Sequence, residues 1–140
     1  MIMNVIEAIS IEAQQDAFGV RDRVFIVEQG VAPEIEHDQY DLDAIHFVGY
    51  LDGQAIAAAR VRLINGAGKI QRVAILQAYR QRGHGKQLML AIESILADRK
   101  VERFYLNAQT HAVAFYQALG YQVCSEPFYE AGIEHVTMEK

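Results

Sequence analysis

The hydrophobic positions change period several times along the chain, and each change marks an element. Residues 2 to 8 alternate loosely and predict a first strand. Ser10 is suited to cap a helix. Ala13, Ala17, Val20, Val24 and Val27 then recur at spacings of four, three, four and three, one face of a helix that fades near Gly30. Residues 31 to 44, VAPEIEHDQYDLDA, are acidic and turn-rich and predict a loop or a broken helix. A meander follows: IHFVGYL is strand-like, Asp52-Gly53 suits a tight turn, and AIAAARVRLI returns. Asn65-Gly66 turns the chain again into KIQRVAIL. Leu88, Ile92, Ile95 and Leu96 share a helical face, and RFYLNAQ is a further strand. Thr110 can cap a short helix ending near Gly120, after which YQVC and IEHVTME are two more strands. The pattern predicts one α/β (α+β) layered domain over residues 1–140, with a strand–helix–strand unit at its centre.

Composition narrows the picture. With 140 residues, 51% of them hydrophobic, the chain suits one ordinary domain and is too apolar to be disordered. A net charge of −5 without a basic stripe argues against a nucleic-acid partner. No apolar run approaches the roughly 18 residues a membrane span needs. Glu7 interrupts the first apolar stretch before a signal-peptide core could form. The single Cys124 excludes an internal disulfide framework and suits a reducing, cytoplasmic setting; within YQVC it is expected to be a buried, inert thiol.

Candidate chemistry concentrates in AYRQRGHGKQLM, residues 78 to 89, where Arg80, Arg82 and Lys86 surround Gly83 and Gly85 just ahead of a helix. A helix start offers unpaired N–H groups and the positive end of its dipole, and glycine lets an anion approach the backbone. The alternative is a basic turn facing water. Two familiar phosphate frames do not fit. The third glycine of G-x-G-x-x-G is Leu88 here, and Gly85-Lys86 is followed by Gln87 where a Walker loop needs Ser or Thr.

The frame that does fit is R-x-x-G-x-G, at Arg80, Gly83 and Gly85, five residues after the strand IQRVAI. It resembles the acyl-CoA loop of the GNAT N-acetyltransferase superfamily. FYQALGY, residues 115 to 121, is similar to the family's F-Y-x-x-x-G-[FY] segment, and RDRVFIVEQ, LNAQTHAVAFY and AGIEHVTM resemble its small bacterial ElaA/YjcF-like branch. The resemblance covers nearly the whole chain. It implies a mostly antiparallel sheet of six to seven strands, flanked by about four helices, with splayed central strands.

The resemblance also implies roles. Acetyl-CoA would be the cosubstrate, its pantetheine amides pairing with the backbone of Val73 and Ile75 as an added strand would. The pyrophosphate would lie against N–H groups from Arg82 through Gly83, His84 and Gly85 to Lys86, with Arg80 reaching a phosphate. The His84 side chain itself is expected to be a solvated loop residue. Tyr116 would be the general acid toward the departing thiolate, or else a packing residue. Asn107 would hold pantetheine or water, or else be a core polar group; Phe115, Leu119 and Tyr121 are assigned to packing. A backbone N–H between Val73 and Ile75 could serve the thioester oxygen.

The acceptor side is more open. A lysine-like amine is neutral at only about one part in two thousand at pH 7, so a base is wanted. Histone-type members carry a glutamate before the central strand motif, where this chain has Lys69. Glu28 (base or acceptor contact) and His111 are the leading candidates, with Asp38 and His135 behind them. Arg60 and Arg62 point the same way from one strand and are expected to pair with the acidic 34–43 loop. That loop is expected to be solvated, with attraction of a cationic amine as its other use. The five histidines have no H-x-x-x-H or cysteine-paired spacing, so no metal is expected. The acceptor would be a small-molecule or peptide amine, and a homodimer is compatible with the fold. A non-catalytic acyl-CoA binding or sensing module is the alternative that Lys69 keeps open.

Overall fold

The computed structural model describes residues 2–140. Its frame is an eight-stranded sheet. The strands are β1 (Asn4–Glu7), β2 (Ile45–Leu51), β3 (Gln54–Ile64), β4 (Ala67–Ile75), β5 (Phe104–Gln109), β6 (Gln122–Val123), β7 (Phe128–Glu130) and β8 (Ile133–Glu139). They lie in the order β1-β2-β3-β4-β5-β8-β6, with β7 paired to β8. Every pairing is antiparallel except β4 with β5. The helices are α1 (Ile11–Arg21), α2 (Pro33–Glu36), α3 (His84–Ala97) and α4 (Val113–Ala118). The expected six to seven strands become eight because the polar stretch before β8 folds back as β7 through a turn at Ala131 and Gly132, both at positive φ. Among the described residues no helix is long and apolar enough to cross a membrane.

The core sits around β3. Successive residues of a strand point to opposite faces, yet Ile56, Ala57, Ala58 and Ala59 are all buried. Layers therefore cover both faces, and the run of alanines lets them approach closely. α1 and α3 both pack on β3, α3 through Leu88, Met89, Ile92 and Leu96.

Three local expectations are corrected. The first helix is α-helical only to Arg21, and Asp22–Glu28 continues as a π-helix. Its wider turns rotate the later residues off the inward face, so Val24 stays buried while Val27 is 78% exposed. Ser10 caps α1 as expected, accepting from the Ala13 N–H at 3.0 Å. Thr110 caps nothing, because a 3-10 turn (Thr110–Ala112) separates it from α4. Cys124 is exposed rather than buried, because β6 is a two-residue strand at the rim of the sheet.

Candidate active site

The site begins where the two parallel strands part. β4 and β5 share only the pairs Gly68↔Phe104 and Lys69↔Tyr105. Beyond them β4 turns away, and a bulge accounts for the bend. Ala58 faces Ala74 and Arg60 faces Gln71, so one residue of β3 opposes two of β4, Arg72 and Val73. Arg72 takes the left-handed conformation there, with φ 57°. The V-shaped gap holds a cleft of about 400 Å³, lined by Val73, Asn107, His111, Tyr116 and His135 among others.

Tyr116 projects from α4 with Phe115 and Tyr121 edge-on to its ring at 5.0 and 6.0 Å. Burial pushes its phenol up to about 12, and its hydroxyl has no hydrogen-bond partner among the described residues. Tyr121, the neighbour, instead donates its hydroxyl to Glu93 at 2.7 Å and is buried, as a packing residue should be. The Asn107 side-chain oxygen accepts from Thr137 Oγ1 at 2.9 Å, which leaves its NH₂ group for the cleft.

The segment AYRQRGHGKQLM leads into the start of α3. Gly83 occupies the N-cap position at φ 84°, a conformation costly for any residue with a Cβ. No side chain caps the helix, and Gln87 makes the first backbone bond back to Gly83 at 3.1 Å. The N–H groups of His84, Gly85 and Lys86 are thereby left without intrahelical partners. At Gly85 the missing side chain is replaced by an aromatic ring: a Cβ there would meet Phe115 Cζ at 3.1 Å. Phe115 thus joins α4 to the start of α3. Arg82 and Lys86 are exposed and have no carboxylate partner among the described residues. His84 is not a solvated loop residue: it is the first residue of α3, buried, with Nδ1 3.2 Å from Gln87 Oε1.

Arg80 and Glu28 are brought together, but outside the cleft lining. Arg80 donates to both Glu28 oxygens at 2.6 and 2.7 Å and through Nε to the Ile75 carbonyl at 2.9 Å. The Arg80 hydrogen bonds hold the Glu28 carboxyl below its ordinary range, which suits an ion pair and not a base.

The acidic loop is only partly solvated: Glu34 and Asp43 are exposed, whereas Glu36, Asp38 and Asp41 turn inward. Glu36 is buried and accepts from Arg21 Nε at 2.8 Å and Arg72 Nε at 2.7 Å. Asp41 accepts from Arg21 and Arg60 at 2.9 and 2.8 Å, and Asp38 from Arg60 at 2.6 Å. Three arginines and three carboxylates balance in one network at the wall of the cleft. The expected Arg60 pairing is present, whereas Arg62 lies over the Tyr40 ring at 3.6 Å. Asp22, Glu36 and His37 also bring potential metal-ligand atoms within 4.8 Å of one another. They are already engaged: Asp22 bonds His37 Nε2 at 2.8 Å, and Glu36 holds its arginines. Arg21 and Arg72 were not singled out by the sequence, and Glu36 only as one acidic residue of the 34–43 loop, since nothing local distinguishes a buried charged residue on a helix or strand. A charged residue inside an otherwise apolar helical face, as at Arg21, is the one signal available.

Comparison with known proteins places this geometry. Residues 10–140 match the family model described as "Acetyltransferase (GNAT) domain". The chain belongs to the GNAT acetyltransferase family. It is 41% identical over 139 residues to "Uncharacterized N-acetyltransferase YjcF" of Bacillus subtilis, covering 99% of each chain. The crystal structure of Escherichia coli ElaA superposes with a TM-score of 0.84 at 28% identity, covering 99% of both chains. That of an acyl-CoA N-acyltransferase from Pseudomonas aeruginosa gives 0.85 at 29% identity, over 99% of this chain and 98% of that one. The ElaA/YjcF-like resemblance and the mixed, mostly antiparallel fold are thus those of a GNAT N-acetyltransferase.

Proposed function

We propose that this GNAT protein transfers an acetyl group from acetyl-CoA to a primary amine by direct attack of the amine on the thioester in a ternary complex. The observation that carries this reading is the parting of β4 from β5 beyond Lys69 and Tyr105, which leaves one edge of β4 unpaired beside Tyr116. An unpaired strand edge fits the amides of pantetheine, which Val73 and Ile75 would hold as a strand partner. The name of the Pseudomonas aeruginosa neighbour, an acyl-CoA N-acyltransferase, supports the same cosubstrate class.

At the other end of the ligand, the free N–H groups at the start of α3 fit a pyrophosphate. Arg82 and Lys86 add unpaired positive charge, while Arg80, tied to Glu28 and Ile75, braces the turn between β4 and α3. The thioester supplies an activated acyl group. Tyr116 donates a hydrogen bond to the departing sulfur. Because its phenol sits near 12 and a thiol near 8.5, complete proton transfer would be uphill by about 5 kcal/mol, so the phenol acts as a donor that remains protonated. Asn107 orients the ligand or a water through its free NH₂ group, and His111 lies at the exposed mouth.

The test pairs isothermal titration with acetyl-CoA and a thiol-release assay over a panel of amines. Amine-dependent CoA release that Tyr116→Phe sharply reduces supports the proposal. Tight binding without release from any amine points to an acyl-CoA sensing module, and no binding refutes the cosubstrate assignment.

A further inference from the structure

Resting on the transfer reaction just proposed, we infer that His135 is the base that takes the proton from the acceptor amine. Its ring is held from two sides. His135 faces Gln109 of β5 and Phe128 of β7 in register, and its ring stacks on Phe128 at 6.0 Å and 21°. Nδ1 lies 2.7 Å from the Ile133 carbonyl. A carbonyl can only accept, so Nδ1 carries the proton and the lone pair resides on Nε2. A largely buried imidazole, fixed in tautomer and orientation, therefore lines the same cleft as Tyr116, Asn107 and Val73.

The rivals fail on position or on partners. Glu28 is bound to Arg80 and is not among the cleft-lining residues. Asp38 holds Arg60 and Arg72, and Glu36 holds Arg21 and Arg72. Glu130 is exposed at the end of β7, and His111 is exposed on a 3-10 turn with no hydrogen bond fixing its ring. In the step itself Nε2 takes one proton from the ammonium form of the acceptor before attack, which frees the nitrogen lone pair to form the C–N bond. The C–S bond breaks, its electron pair goes to sulfur under the Tyr116 hydrogen bond, the nitrogen passes its second surplus proton to the departing thiolate, and His135 returns its own proton to solvent.

A base matters only for a nucleophile that is protonated at the assay pH, and the test uses that difference. Wild type and His135→Asn, whose amide can still donate to Ile133, are assayed at pH 7 with 1,5-diaminopentane and with hydroxylamine, which is largely uncharged there. The expected loss is about 100-fold with the diamine and less than about fivefold with hydroxylamine, the range general-base catalysis spans. Acetyl-CoA affinity and the urea midpoint serve as controls on folding, with His135→Gln as the second variant should the first not fold. Equal losses on both nucleophiles, or no loss on either, overturn the base assignment alone. So does a selective loss of the diamine reaction in His111→Asn but not in His135→Asn. Wild-type protein that binds acetyl-CoA yet transfers to neither nucleophile overturns the transfer reaction, and the base with it.

Discussion

Arg72 Nε donates to Glu36 Oε2 at 2.7 Å, joining the bulge of β4 directly to α2. The residue that takes the left-handed conformation where β4 leaves β5 is thus the one that grips the wall of the cleft. Both partners share a network with Arg21, Arg60, Asp38 and Asp41. Removing one member leaves opposite charges uncompensated in a site where water cannot easily replace them.

Glu36→Ala is therefore expected to destabilise the fold by about 3–5 kcal/mol, the range for breaking one side of a buried ion pair. Urea unfolding at pH 7 measures it. A loss below about 1 kcal/mol would mean that the network behaves like surface ion pairs.

Acid should weaken the same network. The Arg60 hydrogen bond holds Asp38 below its ordinary 3.8; at Asp41 desolvation pushes up, but the bonds from Arg21 and Arg60 outweigh it and the net direction is down. A carboxyl lowered in the folded state contributes its full stability above the unfolded value and loses it as pH falls through the folded one. The urea midpoint of the wild type should thus drop below about pH 4, and Asp38→Asn, though weaker at pH 7, should drop less over that interval.

Tyr116→Phe should lower the rate of acetyl transfer by about 100-fold while changing acetyl-CoA affinity by no more than about twofold. Because burial pushes the phenol up to about 12, the wild-type rate should show no decline owed to Tyr116 up to pH 10. A falling limb between pH 9 and 10 that disappears in the phenylalanine variant would contradict the raised value.

Arg82 and Lys86, which have no carboxylate partner among the described residues, should govern cosubstrate affinity. Arg82→Ala with Lys86→Ala is expected to weaken acetyl-CoA binding by about tenfold at low salt, and by less at 0.5 M salt, where surface charges are screened. Glu28→Gln, which breaks the Arg80 pair outside the cleft, should alter the transfer rate less than about threefold, as suits an exposed ion pair. Titration calorimetry and initial rates check the two expectations.

Gly85→Ala should be worse than helix propensity allows. Alanine is favoured over glycine inside a helix by roughly 1 kcal/mol, yet the new Cβ would press on Phe115 Cζ from 3.1 Å. A lower melting temperature and weaker acetyl-CoA binding are expected together. Phe115→Leu in the same chain should restore part of the melting temperature by giving the methyl group room.

Periodicity and turn residues determined much of the fold. Alternation located the β2–β3–β4 meander, Ser10 the start of α1, and the four-residue apolar rhythm α3, because each is set by neighbours a few positions away. The spacing of Arg80, Gly83 and Gly85 after a strand, with FYQALGY further on, was enough to point to the family. What the sequence could not determine depends on contacts between distant segments. The π-helical turn that exposes Val27, the bulge at Arg72 and the burial of Glu36 all arise from packing between elements that lie far apart in the chain. Among the four base candidates the sequence favoured Glu28 and His111 over Asp38 and His135, since it does not show which partners a carboxylate or imidazole meets. Only the tertiary structure paired Glu28 with Arg80, drew Asp38 into the arginine network, and left His135 with one nitrogen bound to Ile133 and the other without a hydrogen-bond partner among the described residues.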